Sequence, residues 1–419
     1  MYFFLRKLYN RTVNKGQKAL HLCNVKGGTN MENFIFENST KAYFGKGCVS
    51  QYLPDVLKQY GENVMLAYGG GSIKRNGIYE EITEILKAAG KTVTEFSGIM
   101  SNPVYTKVLE GAKLAKEKQI DLILAVGGGS VMDCCKAISL AAVYDGDVWD
   151  DFWMKAGTVS VSPVPLGIVM TVTGTGSEMN GGAVITNEIM KIKTGRDYPA
   201  LNAQFALLDP LYTYSVPKKQ MVSGSFDSLS HMMEIYFSLP NEDNVSDDIN
   251  EALMRGVIRD LRKAIADPDD YTARSNLVWA STMAENRVLK LGKKTDFECH
   301  LMEHQVGAYT DCNHGCGLAV LHPPYYRHIY KDGLPKFVRF ATNVWGIDPT
   351  GKTDEELALA GIDALADFIK EIGLPTTLWE LGVTDKQQAE EIADTCFLSP
   401  GSYRRLTRED IREIFASAY

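Results

Sequence analysis

No stretch of this 419-residue sequence is apolar for long enough to span a bilayer, so a membrane-crossing helix is excluded. Positive charge is in short supply. The 44 lysines and arginines are outnumbered by 52 acids, and the net charge of −8 argues against nucleic acid or an anionic membrane as partner. No secretory signal accompanies the eight cysteines, and Cys134 and Cys135 are adjacent, which disfavours a simple disulfide framework. Reduced thiols and a cytoplasmic location are the expectation. Histidine is scarce too, and of the seven residues all but His21 fall between positions 231 and 328. Residues 1–30 lack both acid and serine while carrying Arg6, Lys7, Arg11, Lys15, Lys18 and Lys26. Met1-Tyr2-Phe3-Phe4-Leu5 is too short for the apolar region of a signal peptide, and the missing serine does not suit a transit peptide. Lys26-Gly27-Gly28 instead reads as a translated purine-rich ribosome-binding site. Met31 is then the expected start, and residues 1–30 an extension that is disordered or not native.

What is present is ordinary for a globular protein, with 45% hydrophobic and 23% charged residues. The length exceeds one core, and two domains, 31–212 and 213–419, are expected. From about residue 40 the pattern switches between strand and helix periods. Apolar strands are expected at 64–68, 122–126, 165–170 and 205–208, an alternating strand at 91–96, and helices at 73–89, 104–118 and 131–142. Buried strands alternating with helices predict a parallel sheet covered on both faces. A strand–Gly-Gly-Gly-Ser–helix unit occurs twice, at 69–72 and 127–130. Three glycines allow a tight bend and close approach of a ligand, and the following helix N-terminus suits phosphate. Ser130 and Asp133 have the spacing of a capping box. Neither loop is the Gly-x-Gly-x-x-Gly fingerprint, so an ordinary Rossmann domain is not indicated, but two such loops in one sheet favour a nucleotide crevice. After Tyr68 no acid occurs until Glu80, while Lys74 and Arg75 are present, which leaves room and charge for a 2′-phosphate. A third loop, 171–180, is dense in hydroxyl and amide groups. Lys193 lies in a polar segment and reads as a surface charge unless the fold brings it to the ribose.

From Pro217 onward only helical spacing is found, at 249–266, 276–291, 355–372, 389–396 and 407–418, with Pro323-Pro324 among the expected breaks. Asp227 and His231 are four apart, as are His300 and His304, so each pair shares a helix face. His314 follows ten residues after His304. A carboxylate and three imidazoles with one open position suit a catalytic Fe(II) or Zn(II) ion. Spacing does not choose among His300, His304 and His314. Cys312 and Cys316 lack the second cysteine pair of a thiolate zinc site. His322 and His328 read as pocket wall or surface.

Four motifs in combination carry a resemblance: Gly127-Gly128-Gly129-Ser130-x-x-Asp133-x-x-Lys136, Thr175-Gly176-Ser177-Glu178, Asp227-x3-His231, and His300-x3-His304-x9-His314-Gly315. From Met31 to the C-terminus the chain resembles the iron-containing (group III) alcohol dehydrogenases, in particular the NADPH-dependent butanol dehydrogenase and aldehyde reductase branch. The resemblance implies an α/β fold: an N-terminal parallel-sheet, Rossmann-like nucleotide domain followed by an all-α metal-binding domain. It implies Asp227, His231, His300 and His314 as metal ligands, with His304 in the second coordination sphere or the substrate pocket as the candidate catalytic residue. It places the dinucleotide on Gly128, Gly129, Ser130, Asp133, Thr171, Ser177, Asn180, Lys193 and Tyr212, and the 2′-phosphate of NADP(H) on Gly70 and Ser72. Thr310 stands where some relatives carry a further histidine. The implied reaction is hydride transfer between the nicotinamide and a small primary alcohol or aldehyde such as butanol or butanal, in a homodimer. The alternative on the same plan is a glycerol dehydrogenase-like or dehydroquinate synthase-like enzyme.

Overall fold

The computed structural model describes residues 31–419, and the expectations for residues 1–30 fall outside that span. The first half runs β1 (Lys41–Phe44), α1 (Cys48–Leu57), β2 (Asn63–Tyr68), α2 (Ser72–Arg75), α3 (Ile78–Ala88), β3 (Thr92–Phe96), α4 (Tyr105–Glu117), β4 (Leu122–Gly127), α5 (Gly129–Ala141), β5 (Leu166–Met170), β6 (Gly182–Asn187), β7 (Ile192–Asp197) and β8 (Phe205–Leu208). Six strands form one all-parallel sheet in the order β1-β8-β5-β4-β2-β3. β4 and β5 are buried along their whole length, which is why they read as unbroken apolar runs. Leu53, Ile82 and Leu86 of α1 and α3 pack on Val64, Leu66 and Leu124 from one face. Val108, Met132 and Ile138 of α4 and α5 pack on Met65, Ile123 and Ala125 from the other. The strand order reverses between β2 and β4, and both Gly-Gly-Gly-Ser loops leave the carboxyl ends of these two strands. A crevice at such a switch point is where open α/β sheets bind ligands.

The first half departs from expectation in places. The helix at 73–89 is two helices, because Gly77 takes φ +82° and turns the chain between α2 and α3. β1 and the antiparallel hairpin β6–β7 were not anticipated. β7 reads Ile-Lys-Thr-Gly-Arg-Asp, and no apolar alternation marks it as a strand.

Among the described residues all eight strands precede Asp209, and the second half is helical: α6 (Lys218–Tyr236), α7 (Val245–Ala266), α8 (Tyr271–Glu285), α9 (Glu298–Thr310), α10 (His314–Ile329), α11 (Leu334–Arg339), α12 (Asp354–Glu371), α13 (Lys386–Thr395) and α14 (Arg408–Ala418). α6 is the central element, packed against α7, α8 and α10 and buried almost all round. A helix enclosed on every side shows no amphipathic stripe. The helix placed at 276–291 starts earlier and ends at Glu285. Asp270 caps it by accepting from Ala273 N at 2.9 Å, and Arg287 (φ +76°) stops it. Pro323-Pro324 does not break α10. Leu318, Val320, Leu321, Tyr325 and Tyr326 are buried around the pair, and that packing outweighs the two missing backbone donors. At the start of α10, a Cβ on Gly315 would run into the Ser223 carbonyl of α6. The bare backbone lets α10 begin directly against α6. Among the described residues no helix is long and apolar enough to cross a membrane, and the seven cysteines from Cys48 onward are free.

Candidate metal centre and nucleotide cleft

Three helix segments converge on one point. α6 presents Asp227, His231 and Glu234, spaced four and three apart along one face. α9 presents His300, Glu303 and His304, and α10 opens on His314 with Asn313 as its N-cap, accepting from Cys316 N at 3.3 Å. Asp227 Oδ1 lies 3.8 Å from His300 Nε2 and 3.7 Å from His314 Nε2. These three ligand atoms are within 4.8 Å of one another. Ligand atoms about 2.1 Å from a tetrahedral ion would be roughly 3.4 Å apart, and the two separations from Asp227 are within a few tenths of an ångström of that.

The other nitrogen of each ring is already engaged. His300 Nδ1 is bonded to Glu234, His314 Nδ1 to Glu303, and His231 Nδ1 faces the Asp227 carbonyl at 2.9 Å. Carboxylates behind imidazoles fix the tautomer and direct the opposite nitrogen outward. Asp227 Oδ1 and His300 Nε2 are buried without a hydrogen-bond partner, as expected of atoms whose partner is an ion. Glu234 also accepts from Cys299 N at 2.7 Å and His300 N at 3.2 Å, which pins the start of α9 to α6. His231, the fourth expected ligand, lies beside the set rather than in it. Its ring sits 4.5 Å from that of His300, centre to centre. His304 belongs to a second group, with Glu303 and His314, and its Nδ1 is buried and unpartnered.

The charges make the same case. Asp227, Glu234 and Glu303 are three buried carboxylates, and Lys193 is the buried cation beside them, 3.5 Å from Glu303. With the imidazoles neutral, as metal ligation requires, two negative charges remain, and a divalent ion neutralises two. Burial opposes ionisation of Asp227, but the surrounding histidines, His231 first, hold its carboxyl well below the usual range. Burial also opposes charging of His300, yet Glu234 and Asp227 push it up to about 10. Burial, then Lys193, drives His304 well below its ordinary value, so its ring is neutral.

A cleft of about 440 Å³ joins this centre to the sheet. It is lined by Ser130, Asp133, Ser177 and Asn180 from the sheet side, by His231, His300, His304 and His314, and by Lys193, which lies beside Glu303. Gly70, Ser72, Gly128, Gly129, Thr171 and Tyr212 do not line it. Gly128 and Gly129 are pressed on Val172 and Thr175, so their missing Cβ atoms serve the packing of the two loops. Gly70 faces open space, and Ser72 opens α2 next to it. Thr171 is buried at the end of β5, and the Tyr212 hydroxyl donates to Glu81 at 2.7 Å.

Ser130 and Asp133 form no capping box. The Ser130 hydroxyl turns to the Ser101 carbonyl, while Asp133 accepts from Ser177 Oγ at 2.6 Å and Val184 N at 2.9 Å. The fully buried Lys136 donates to Ser177 Oγ, Asn180 Oδ1 and Gly182 O at 2.7, 3.1 and 2.8 Å, which uses all three of its donors. Burial lowers its pKa to about 8. Lys193 is not a surface charge, since β7 carries it inward. His322 is fully buried, with Nε2 2.5 Å from Ser230 Oγ, and lines no part of the cleft. His328 is partly buried against Asp410 at 2.9 Å. Sequence reasoning missed Glu234 and Glu303, and gave Lys136 no role beyond its place in a motif. Glu234 stands seven residues, two helical turns, past Asp227, and Glu303 three past His300, so helical spacing was the available signal. It also missed Glu95, which β3 brings beside β2 to bind Tyr68, Tyr79 and Lys74 at 2.6, 2.5 and 3.3 Å.

Two family descriptions match the chain: "Iron-containing alcohol dehydrogenase" over residues 39–210 and "Fe-containing alcohol dehydrogenase family, C-terminal" over residues 221–419. The chain belongs to the iron-containing alcohol dehydrogenase family. Its relatives include the NADH-dependent butanol dehydrogenase A of Clostridium acetobutylicum, 40% identical over 93% of this chain and 100% of that one. The NADPH-dependent aldehyde reductase of Escherichia coli is 33% identical over 84% and 90%. The crystal structure of the NADH-dependent butanol dehydrogenase A of Thermotoga maritima superposes with a TM-score of 0.88 at 37% identity, covering 93% of this chain and 99% of that one. Membership makes the chain an enzyme of alcohol and aldehyde oxidoreduction with a nicotinamide cofactor and an iron-type metal.

Replacing Asp227 with alanine is expected to strip the metal while the far-UV circular dichroism stays unchanged, because the sheet has its own core. Glu234→Gln should weaken metal affinity by about 10- to 100-fold. Elemental analysis after dialysis checks both, and full metal occupancy in Asp227→Ala contradicts the ligand assignment.

Proposed function

We propose that this enzyme reduces small aldehydes, and oxidises the matching primary alcohols, with NADP(H) and one Fe(II) or Zn(II) ion, residues 31–212 holding the nucleotide and 213–419 the metal. The supporting observation is that His300 and His314, whose ligand atoms meet that of Asp227, line the same cleft as Ser130, Asp133 and Ser177. His231 completes the ligand set by a turn of its ring. The bound metal supplies Lewis acidity to the substrate oxygen, and the nicotinamide supplies the hydride. The protein's part is positioning. Glu234 and Glu303 lock two imidazoles, Lys136 holds the Ser177–Asn180 wall, and the buried neutral ring of His304 stands next to the reacting centre with Nδ1 free to hold a proton.

The preference for NADP(H) rests on the loop after β2. Gly70 leaves space there, and Lys74 is engaged by Glu95. Arg75 is exposed and has no ion-pair partner among the described residues, so it is the cation available to a 2′-phosphate. Two of the relatives above use NADH. Chelation should abolish butanal-dependent oxidation of NADPH, and added Fe(II) or Zn(II) should restore it. The restored enzyme should show the higher kcat/KM with NADPH. Activity that survives chelation overturns the metal reading, and a higher value with NADH overturns the Arg75 reading.

The homodimer finds its support in β1, an edge strand preceded by the exposed Phe34, Ile35 and Phe36. Antiparallel pairing of this segment with its copy about Ser39 would set Glu37 opposite Lys41 and Glu32 opposite Lys46. Light scattering is expected to give the mass of two chains, and a single-chain mass overturns it.

A further inference from the structure

Away from the cleft, the helical half buries a second set of charged side chains. Asp247, near the start of α7, holds Lys293 Nζ on Oδ1 at 2.5 Å and Lys336 Nζ of α11 on Oδ2. All three side chains are at most 1% exposed. Their other contacts are neutral. Asn244 Nδ2 donates to Asp247 Oδ2 at 2.6 Å, Lys293 to the Tyr236 carbonyl at 3.2 Å and Lys336 to the Pro240 carbonyl at 3.1 Å. Both lysine nitrogens also lie over the Tyr236 ring, 6.0 and 5.1 Å from its centre. Glu251 of α7 gives no relief, because the Tyr236 hydroxyl and Arg339 of α11 each reach it at 2.7 Å. Arg339 is held in turn by Asp243 and Asp248. Tyr403, from the chain after α13, spends its hydroxyl on the Ser238 carbonyl at 3.3 Å. With both lysines protonated, two positive charges share one buried carboxylate, and one of them is left over.

Lys293 is the member that can yield, because it sits in the segment between α8 and α9 rather than on a helix. Lys294 N bonds the Leu239 carbonyl at 2.9 Å, and Asp296 accepts from Ser402 N at 2.5 Å. The segment ends on Phe297, whose ring stands 5.3 Å from that of His300. We propose that Asp247, Lys293 and Lys336 form a pH-sensitive clamp on the segment that leads into α9, tight while Lys293 is neutral and loosened when it takes up a proton. Burial, opposed by Asp247 and reinforced by Lys336, brings the Lys293 ammonium down to about 7. Released into water, the same group keeps its proton up to about 10.4. Between these values closure of the segment expels a proton, so the closed form gains as the pH rises. The gain is lost below about pH 7, where both lysines are charged in place.

The test is amide hydrogen exchange, read by mass spectrometry on the full-length metal-loaded enzyme from about pH 6 to about pH 8.5 at constant metal content. Rates are corrected for the intrinsic pH dependence of exchange, and a peptide from β4 serves as the reference. Protection of the peptide covering residues 292–297 is expected to rise by about tenfold or more over this range, relative to β4. Lys293→Met leaves one lysine for one carboxylate, and Lys336→Met leaves Lys293 as the sole partner of Asp247. The rise should vanish in both. A flat or falling profile in the wild-type enzyme overturns the clamp even if neither variant folds. The wild-type rise retained in a folded Lys293→Met enzyme overturns it too.

Discussion

Two unbalanced negative charges at the bottom of the cleft set the terms for the rest of this structure. Asp227, Glu234 and Glu303 are buried within a few ångströms of Lys193 and three imidazoles. Uncompensated carboxylates in such a place cost several kcal/mol each. Either the histidines take up protons or a dication enters. The hydrogen bonds from Nδ1 of His300 and His314 to carboxylates leave Nε2 of each ring for the ion. The geometry is therefore poised for a metal and would be strained without a cation of some kind.

The fold makes that concentration of charge possible. α6 carries the carboxylate ligand Asp227 and the Glu234 that supports His300, while being enclosed on almost every side. α9 is tied to it through Glu234, and α10 begins against it because Gly315 leaves room. The parallel sheet contributes from across the cleft. The strand order reverses at β2 and β4, and Ser130 after β4, together with Lys193 from β7, lines the same opening. Lys193 belongs to both halves, since it leaves the sheet side and ends on Glu303.

Much of this was legible in the sequence, and the reasons differ from place to place. β4 and β5 were readable because a strand buried on both faces is an apolar run. The pairs Asp227/His231 and His300/His304 were readable because helical spacing puts both members on one face, and the family motif then separated His300 and His314 from His304. β7 was not readable, because its residues are polar and its strand character comes from pairing with β6 rather than from its own pattern. Lys193 was misjudged for the same reason. The acid beside β2 was not readable either: parallel pairing sets Glu95 there from 27 residues further along the chain, and no local window sees that. Pro323-Pro324 shows the reverse failure, where a strong local signal yields to burial on all sides.

The charge imbalance remains the claim on which the account stands, and proton counting tests it without reference to any substrate. Metal-free protein should be titrated with Zn(II) near neutral pH by calorimetry in buffers of different ionisation enthalpy. The account predicts release of about one proton or more per ion bound, His300 being the first to lose its charge. Binding of Zn(II) at Asp227 and the histidines with no proton release would contradict it.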